Sequence, residues 1–261
     1  MIVYDPLTKP WIMQKLRERR AEYASLPHQC LKIKATVLNG LVPSFRLTFD
    51  EILCRLVLND LFAEDLYALY CWTDDVYPIP LPLKQLGREL KFWSCSQAFY
   101  RKREEHDAFM RKFLDTFYED RIAFAGHIPK VAIDHGYYKQ RNEKFYYVLT
   151  PEVTWYTCGN RGELERLLMD LDSLGALTSR GWGQVGDIQI EETERDYSLV
   201  KDGKLMRNVP VPEAHSLFVL LRGDVKVCPY RPPYRSVRNK TSCYVWGTRV
   251  RPPYSFSLYT L

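Results

Sequence analysis

The sequence has no Cys-x-x-Cys pair, no apolar run long enough to span a bilayer and no acidic residue after Asp224. Its seven cysteines (Cys30, Cys54, Cys71, Cys95, Cys158, Cys228 and Cys243) are odd in number and scattered through apolar or aromatic stretches. Neither a disulfide framework nor a zinc motif is indicated, and buried reduced thiols in a reducing cytoplasm are expected. No segment approaches the roughly 18 apolar residues of a transmembrane helix. Asp5, Pro6, Lys9 and Pro10 interrupt the stretch where a signal peptide would need a continuous apolar segment. Glycine and proline, 13 and 16 of 261 residues, are close to background, which excludes collagen-like and linker-like chains. With 46% hydrophobic and 26% charged residues the chain is a folded protein, long enough for one elaborated domain or two small ones. No cofactor fingerprint and no metal-ligand spacing is visible, so neither a cofactor nor a metal is expected.

The missing acids matter most. From Val225 to Leu261 there are seven Lys and Arg, so this segment is net +7, while the preceding 224 residues sum to −2 within a total of +5. Tyr230, Tyr234, Tyr244, Trp246, Tyr254, Phe256 and Tyr259 interleave with these cations, and Arg231-Pro-Pro-Tyr234 recurs as Arg251-Pro-Pro-Tyr254. Cations alternating with ring faces suit unpaired bases on a phosphate backbone. The same composition fits a solvated terminus, or a proline-stiffened arm docked on another protein.

Hydrophobic periodicity gives the elements. Trp11 to Leu26 reads as a short basic helix after Pro10, and Leu31 to Leu38 alternates as a half-buried strand. Thr48-Phe-Asp-Glu51 is a capping box that opens a helix from Phe49 to about Leu58. Lys91 to Tyr100 reads as a strand. Arg101 to Tyr118, with Phe109, Phe113 and Phe117 on one stripe, reads as a helix. Lys130 to Ile133, Lys144 to Leu149 and Glu152 to Thr157 read as strands. Asn160, with Glu163 three residues on, caps a helix whose apolar stripe runs from Leu164 to Leu174. Gln184 to Ile190 is a strand, Lys201-Asp-Gly-Lys204 a hairpin turn and Leu217 to Leu221 a last strand.

Two features carry possible chemistry. Gly175-Ala-Leu-Thr-Ser-Arg-Gly-Trp-Gly-Gln-Val-Gly186 is a glycine-rich loop between a helix and a strand. Bare glycine backbone, as at Gly181 and Gly183, lets N–H groups approach a phosphate; Arg180 adds a bidentate donor and Trp182 a stacking face. The loop is neither a Walker loop nor a dinucleotide fingerprint, both of which follow a strand and open a helix. It also fits a plain helix C-cap followed by a tight turn. His127, His135, Tyr137, Tyr138 and Lys139 lie close in sequence and suit acid–base cleavage of RNA through its 2′-hydroxyl, although Lys and Tyr near a basic loop equally well hold phosphates. His106 falls on a charged stretch that reads as a solvated face.

Taken in order, LKIKATVLNGLVPSFRLTFDEILCRLVL, FWSCS, KVAIDHGYYKQ, YTCGNRGELERLL, SLGALTSRGWGQVGDIQIEE, KLMRNVPV and the first R-P-P-Y give the chain its likeness. From Leu31 to Tyr234 it resembles the RAMP superfamily of CRISPR-associated RNA-binding proteins, and within it the Cas-five-type subunit of type IV effector complexes. The resemblance implies an α+β fold, a ferredoxin-like (RRM-like) β-α-β-β-α-β core with an inserted thumb at about 83–128 and a glycine-rich loop. It sets apart residues 1–30 as a basic helical extension, 31–240 as the domain and 241–261 as a basic aromatic tail. It implies a cytoplasmic subunit that binds and caps the 5′ handle of the CRISPR RNA. Its partners would be the backbone and large subunits of the complex, with target DNA a further partner left open and no membrane. The positions carried over are Arg180, Gly181, Trp182 and Gly183, then Lys139, Arg207 and Arg231; Tyr234 joins them from the aromatic segment. Some relatives of this fold cut precursor RNA, so a metal-independent endoribonuclease using His135, Tyr137 and Lys139 is the alternative to a binder without catalysis.

Overall fold

In a computed structural model, the chain is described at residues 10–44, 47–62, 79–112, 141–234 and 236–251. Helix α1 (Pro10–Ala24) is followed by strand β1 (Gln29–Val37) and helix α2 (Phe49–Phe62). Strands β2 (Gln85–Leu86) and β3 (Phe92–Trp93) make a short hairpin, and β4 (Glu104–Lys112) and β5 (Arg141–Leu149) a long one. Next come β6 (Glu152–Gly159), helix α3 (Arg161–Leu168) and β7 (Val185–Glu192). The C-terminal part holds β8 (Val200–Lys201), β9 (Lys204–Leu205), β10 (Val209–Pro210), α4 (Val211–Leu217), β11 (Leu220–Arg222), β12 (Val225–Pro229), β13 (Lys240–Tyr244) and β14 (Arg249–Arg251).

The alternation of β1 decides the first core. Leu31, Ile33 and Ala35 point inward and are buried, while Lys32 and Lys34 lie on the opposite face. β1 pairs antiparallel with β6 on one side and β7 on the other. Beyond β6 the segment 94–99 adds an irregular fourth rung through the bridges Cys95↔Thr157 and Phe99↔Thr154. The order β7-β1-β6-(94–99), with α2 and α3 against the inner face, is the α+β, ferredoxin-like β-α-β-β-α-β arrangement that the resemblance implies. The expected strand at 91–100 is thus mostly a broken one, with regular pairing only at Phe92–Trp93.

Local signals explain the helices. Asp50 and Glu51 in the first turn of α2 complement its dipole, and Ile52, Leu53, Leu56 and Val57 are buried against the sheet. Asn160 caps α3, its side-chain oxygen accepting the Glu163 N–H at 3.0 Å. α3 stops at Leu168, short of the expected stripe, in a tightened turn where the Leu171 N–H donates to Leu168; Leu171 and Leu174 still reach the core from irregular backbone. Helix α1 shares that core through Ile12, Leu16 and Tyr23, and its Arg19 pairs with Asp60 of α2 at 2.7 Å.

Further expectations change. Glu104–Lys112 is a strand, not a helix, in a nine-pair ladder with β5. Spacing of four places phenylalanines on one helical face but equally on one face of a strand, so Phe109, Phe113 and Phe117 could not decide between them. Phe113, Phe117 and the expected strand Lys130–Ile133 lie outside the described residues. The basic segment after Asp224 is not a free tail up to Arg251. β13 is the central strand of the sheet β10-β13-β12, and β14 pairs with β9 and β11. A second apolar core forms there from Phe92, Leu205, Val209, Ala214, Tyr230, Cys243 and Val250. Leu217 closes α4, so the last expected strand begins only at Leu220. No helix among the described residues is long and apolar enough to cross a membrane.

Candidate nucleic-acid interface

The glycine-rich loop is built mainly to pack. A Cβ on Gly183 would lie 1.9 Å from the Leu174 carbonyl oxygen and one on Gly175 2.4 Å from that of Val42, and both glycines have positive φ. The Gly183 N–H donates to Gly40 and the Gly181 N–H to Thr178, each at 2.9 Å, so neither donor is left for a phosphate. Asn39 clamps the loop, donating to the Gly181 carbonyl at 2.6 Å and accepting the Gln184 N–H at 2.9 Å. Trp182 is half-buried over Gly40, with Tyr147 at 4.7 Å and Phe145 at 5.3 Å between ring centroids. Its rings therefore join the loop to the β4–β5 hairpin. Arg180 is exposed and makes no ion pair among the described residues.

Arg207 and Tyr234, expected on the strand-binding surface, are instead interior residues. Arg207 is 2% exposed and its guanidinium donates to Asp50 at 2.9 Å and to the Tyr230 carbonyl at 2.7 Å, with the Trp93 carbonyl beside it. The Tyr234 hydroxyl donates to the Asp50 carboxylate at 2.9 Å and lies 3.0 Å from Arg207. Burial is the largest single influence on Arg207 and opposes its charge, but Asp50, Tyr234 and Cys95 together outweigh it, and the net shift of its pKa is upward; burial pushes the Tyr234 phenol up as well. The reason for the correction is position. Arg207 faces the junction of the two cores, and a buried carboxylate on α2 demands a cation there. Arg231 is half-buried and donates to the Asn239 side chain at 2.9 Å, so Arg180, Arg207 and Arg231 do not line one trough. His127, His135, Tyr137, Tyr138, Lys139 and Tyr254 lie outside the described residues.

A different surface is assembled instead. A groove of about 1230 Å³ runs where the open face of the sheet meets the foot of the β4–β5 hairpin and the C-terminal part. Lys32, Arg101, Lys102, Arg103, Lys201 and Lys204 line it, against the carboxylates of Glu152 and Asp202. Lys32 is partly neutralised by Glu191 at 3.4 Å, and Lys102 pairs with Glu105. Arg101, Arg103, Lys201 and Lys204 have no carboxylate partner among the described residues. Rings interleave with these charges. Tyr156, opposite Lys32 on β6, packs edge-on against Phe99 at 6.4 Å and Tyr197 at 5.7 Å. The Lys201 ammonium sits 4.3 Å from the Tyr156 ring centroid and donates to its hydroxyl. Trp246, 55% exposed, stands on the opposite wall.

Local chemistry sets several of these groups in place. Asp202 and Gly203 both have positive φ, the geometry of a tight two-residue hairpin turn, which holds Lys201 opposite Lys204 in register. The Gln97 N–H donates to the Met206 carbonyl at 2.9 Å, joining the two walls. Sequence inspection missed the groove because its lining comes from five separated stretches. The available signal was the outward Lys32 and Lys34 of an alternating strand, together with Arg101-Lys-Arg103. The arrangement can hold a polyanion of single-stranded width by counter-ion release and ring contact; its volume exceeds that of ordinary small-ligand pockets.

No protein-family model matches the chain, and no curated protein is significantly similar to it. Among solved structures it is similar to a chain in the cryo-EM structure of the Type III-B Cmr-beta bound to cognate target RNA. That likeness covers 70% of this chain and 67% of that one, at 9% sequence identity and a TM-score of 0.35, and at that size it establishes no common function.

Proposed function

We propose that this protein is a binding subunit that holds single-stranded RNA along the groove between its sheet and its C-terminal part. The observation that carries the reading is the groove itself: four cations without carboxylate partners among the described residues surround Phe99, Tyr156 and Trp246 on the open face of an RRM-like sheet. Unpaired RNA is recognised by such surfaces, its bases against rings and its phosphates against Lys and Arg. The narrower assignment follows the sequence motifs that resemble the RAMP superfamily. In it the strand is the 5′ handle of a CRISPR RNA, and the protein sits beside the backbone subunit of a type IV effector complex. Arg180, exposed on the glycine-rich loop, would extend the path, since the hairpin touches the loop through Phe145 and Tyr147 and the groove through Arg101 and Arg103.

The test is a titration of labelled single-stranded RNA, with and without a repeat-derived 5′ segment, across a salt series. Binding weakens with salt at a log–log slope of about −3 if four cations contact phosphates. Lys201→Glu with Lys204→Glu weakens it at least about tenfold, and the handle-bearing RNA binds more tightly than an unrelated one. Affinity independent of salt and unchanged in the double variant would overturn the groove. Equal affinity for every RNA would overturn the handle alone.

A further inference from the structure

Two cysteines face each other across the central strands, on the same open side of the sheet as Lys32 and Tyr156. Cys30 of β1 stands directly opposite Cys158 of β6. The segment that follows β7 returns over them and adds Asp196, so that both thiol sulfurs and a carboxylate oxygen lie within 4.8 Å of one another. The segment is anchored on each side of that carboxylate. The Thr193 N–H donates to the Cys30 carbonyl at 2.8 Å, and the Ser198 N–H donates to Asp196 Oδ1 at 2.8 Å. Cys158 is buried, Cys30 half-buried and Asp196 exposed, which closes the site toward the sheet and opens it to solvent at the carboxylate. Among the described residues no other trio of His, Cys, Asp and Glu converges in this way.

Two sulfurs and one oxygen are the donor set of a borderline-soft dication. Zn²⁺ takes cysteine sulfur at about 2.3 Å and carboxylate oxygen at about 2.1 Å, which places tetrahedral donors roughly 3.5–3.8 Å apart. Rotation of the cysteine side chains closes the remaining distance. Without a cation both thiols stay protonated. Burial and then the Asp196 carboxylate hold the Cys158 thiol up at about 12, and burial pushes Cys30 up too. An incoming dication would replace the two thiol protons, releasing both to solvent and forming two metal–sulfur bonds with no redox change.

We infer that Cys30, Cys158 and Asp196 form a site for a thiophilic divalent cation of the zinc class, with one coordination position open to water. The ion fastens the segment 193–198 to the sheet. Tyr197, next to Asp196, forms part of the ring cluster around Tyr156, so the ion also steadies one wall of the groove. The site itself does not depend on what the groove binds.

Cobalt(II) titrated into the reduced, chelator-treated full-length protein tests this directly. The expected result is a saturable sulfur-to-cobalt charge-transfer band with visible bands of tetrahedral type, at one equivalent, bleached by added Zn²⁺. Cys158→Ser and Cys30→Ser each abolish the band, and Asp196→Ala raises the midpoint by about tenfold or more; circular dichroism of each variant checks folding. Cys30→Ser, at the half-buried position, keeps the test alive if Cys158→Ser does not fold. Absence of the band while all thiols still titrate as free, a band that survives both serine variants, or a Cys30–Cys158 disulfide in its place would each overturn the site.

Discussion

Lys201 and Arg207 are six residues apart in the chain and end in opposite surroundings. Lys201 leans on a tyrosine ring at the mouth of the groove, with no carboxylate partner among the described residues. Arg207 is locked between two cores by Asp50, Tyr234 and backbone carbonyls. One charge is stored where an incoming anion can displace counter-ions; the other is spent on joining two parts of the molecule. Residue type does not separate them. What separates them is whether an acid has been buried nearby, and Asp50, on the core side of α2, is the group that fixes the role of Arg207.

The comparison breaks most visibly if the buried cation is removed. Arg207→Ala strands the Asp50 carboxylate and costs about 3–5 kcal/mol, read as a lowered midpoint in chemical denaturation. Lys201→Ala leaves that midpoint within about 0.5 kcal/mol while weakening RNA binding. An equal loss of stability in both would erase the distinction. On the open side, Trp246→Ala loses a stacking face worth about 1–3 kcal/mol in RNA affinity, with little change in stability. A second buried charge sharpens the contrast. Glu213 of α4 accepts the N–H groups of Arg88, Glu89 and Leu90 at 2.7–3.0 Å and so ties the C-terminal part to the β2–β3 turn. Burial opposes its charge, yet the three donors hold its carboxyl below the usual carboxylate range. A depressed value in the folded state means stability present above the unfolded value of about 4.3 and lost as the pH falls through the folded one. Glu213→Gln costs about 1–3 kcal/mol at neutral pH and removes that part of the acid dependence. A variant with wild-type stability at both pH 7 and pH 3.5 would show that the tie contributes nothing.

How far the molecule could be read beforehand follows from the range of each signal. The cap of α3, the alternation of β1 and the Asp202-Gly203 turn are written in neighbouring residues and were legible; the expected capping box of α2 does not form, since the Glu51 N–H donates to Asp50 and Thr48 Oγ1 has no partner among the described residues. β4 was not legible, because its phenylalanine spacing satisfies both periods and the deciding partner, β5, is contributed from beyond residue 140. The groove was illegible for the same reason on a larger scale. Lys32, Arg101, Lys201 and Trp246 meet only after the C-terminal part docks on the sheet edge. Arg207 and Tyr234 were picked by type from a basic, aromatic segment, and burial reversed their meaning. Asp50 was the clue at hand: an aspartate between Phe49 and Ile52-Leu53 on an apolar helix face needs a buried donor somewhere.

The smallest effect separates two glycines that look alike in the sequence. Gly181 and Gly183 both have positive φ, but a Cβ on Gly181 meets nothing within 4 Å, whereas one on Gly183 drives into the Leu174 carbonyl. Gly181→Ala therefore carries only the left-handed backbone penalty, about 1 kcal/mol, with the loop otherwise intact. Gly183→Ala must push the loop off Leu174 and Gly40, so it loses more stability than its neighbour and disturbs the Trp182 contact with Tyr147, which tryptophan fluorescence follows. If glycine served in this loop only to clear space for a bound phosphate, both variants would keep their stability and lose RNA affinity alike. The geometry requires the opposite order: Gly183 matters for folding before it matters for binding, because its backbone is already in contact with protein where a ligand would have to be.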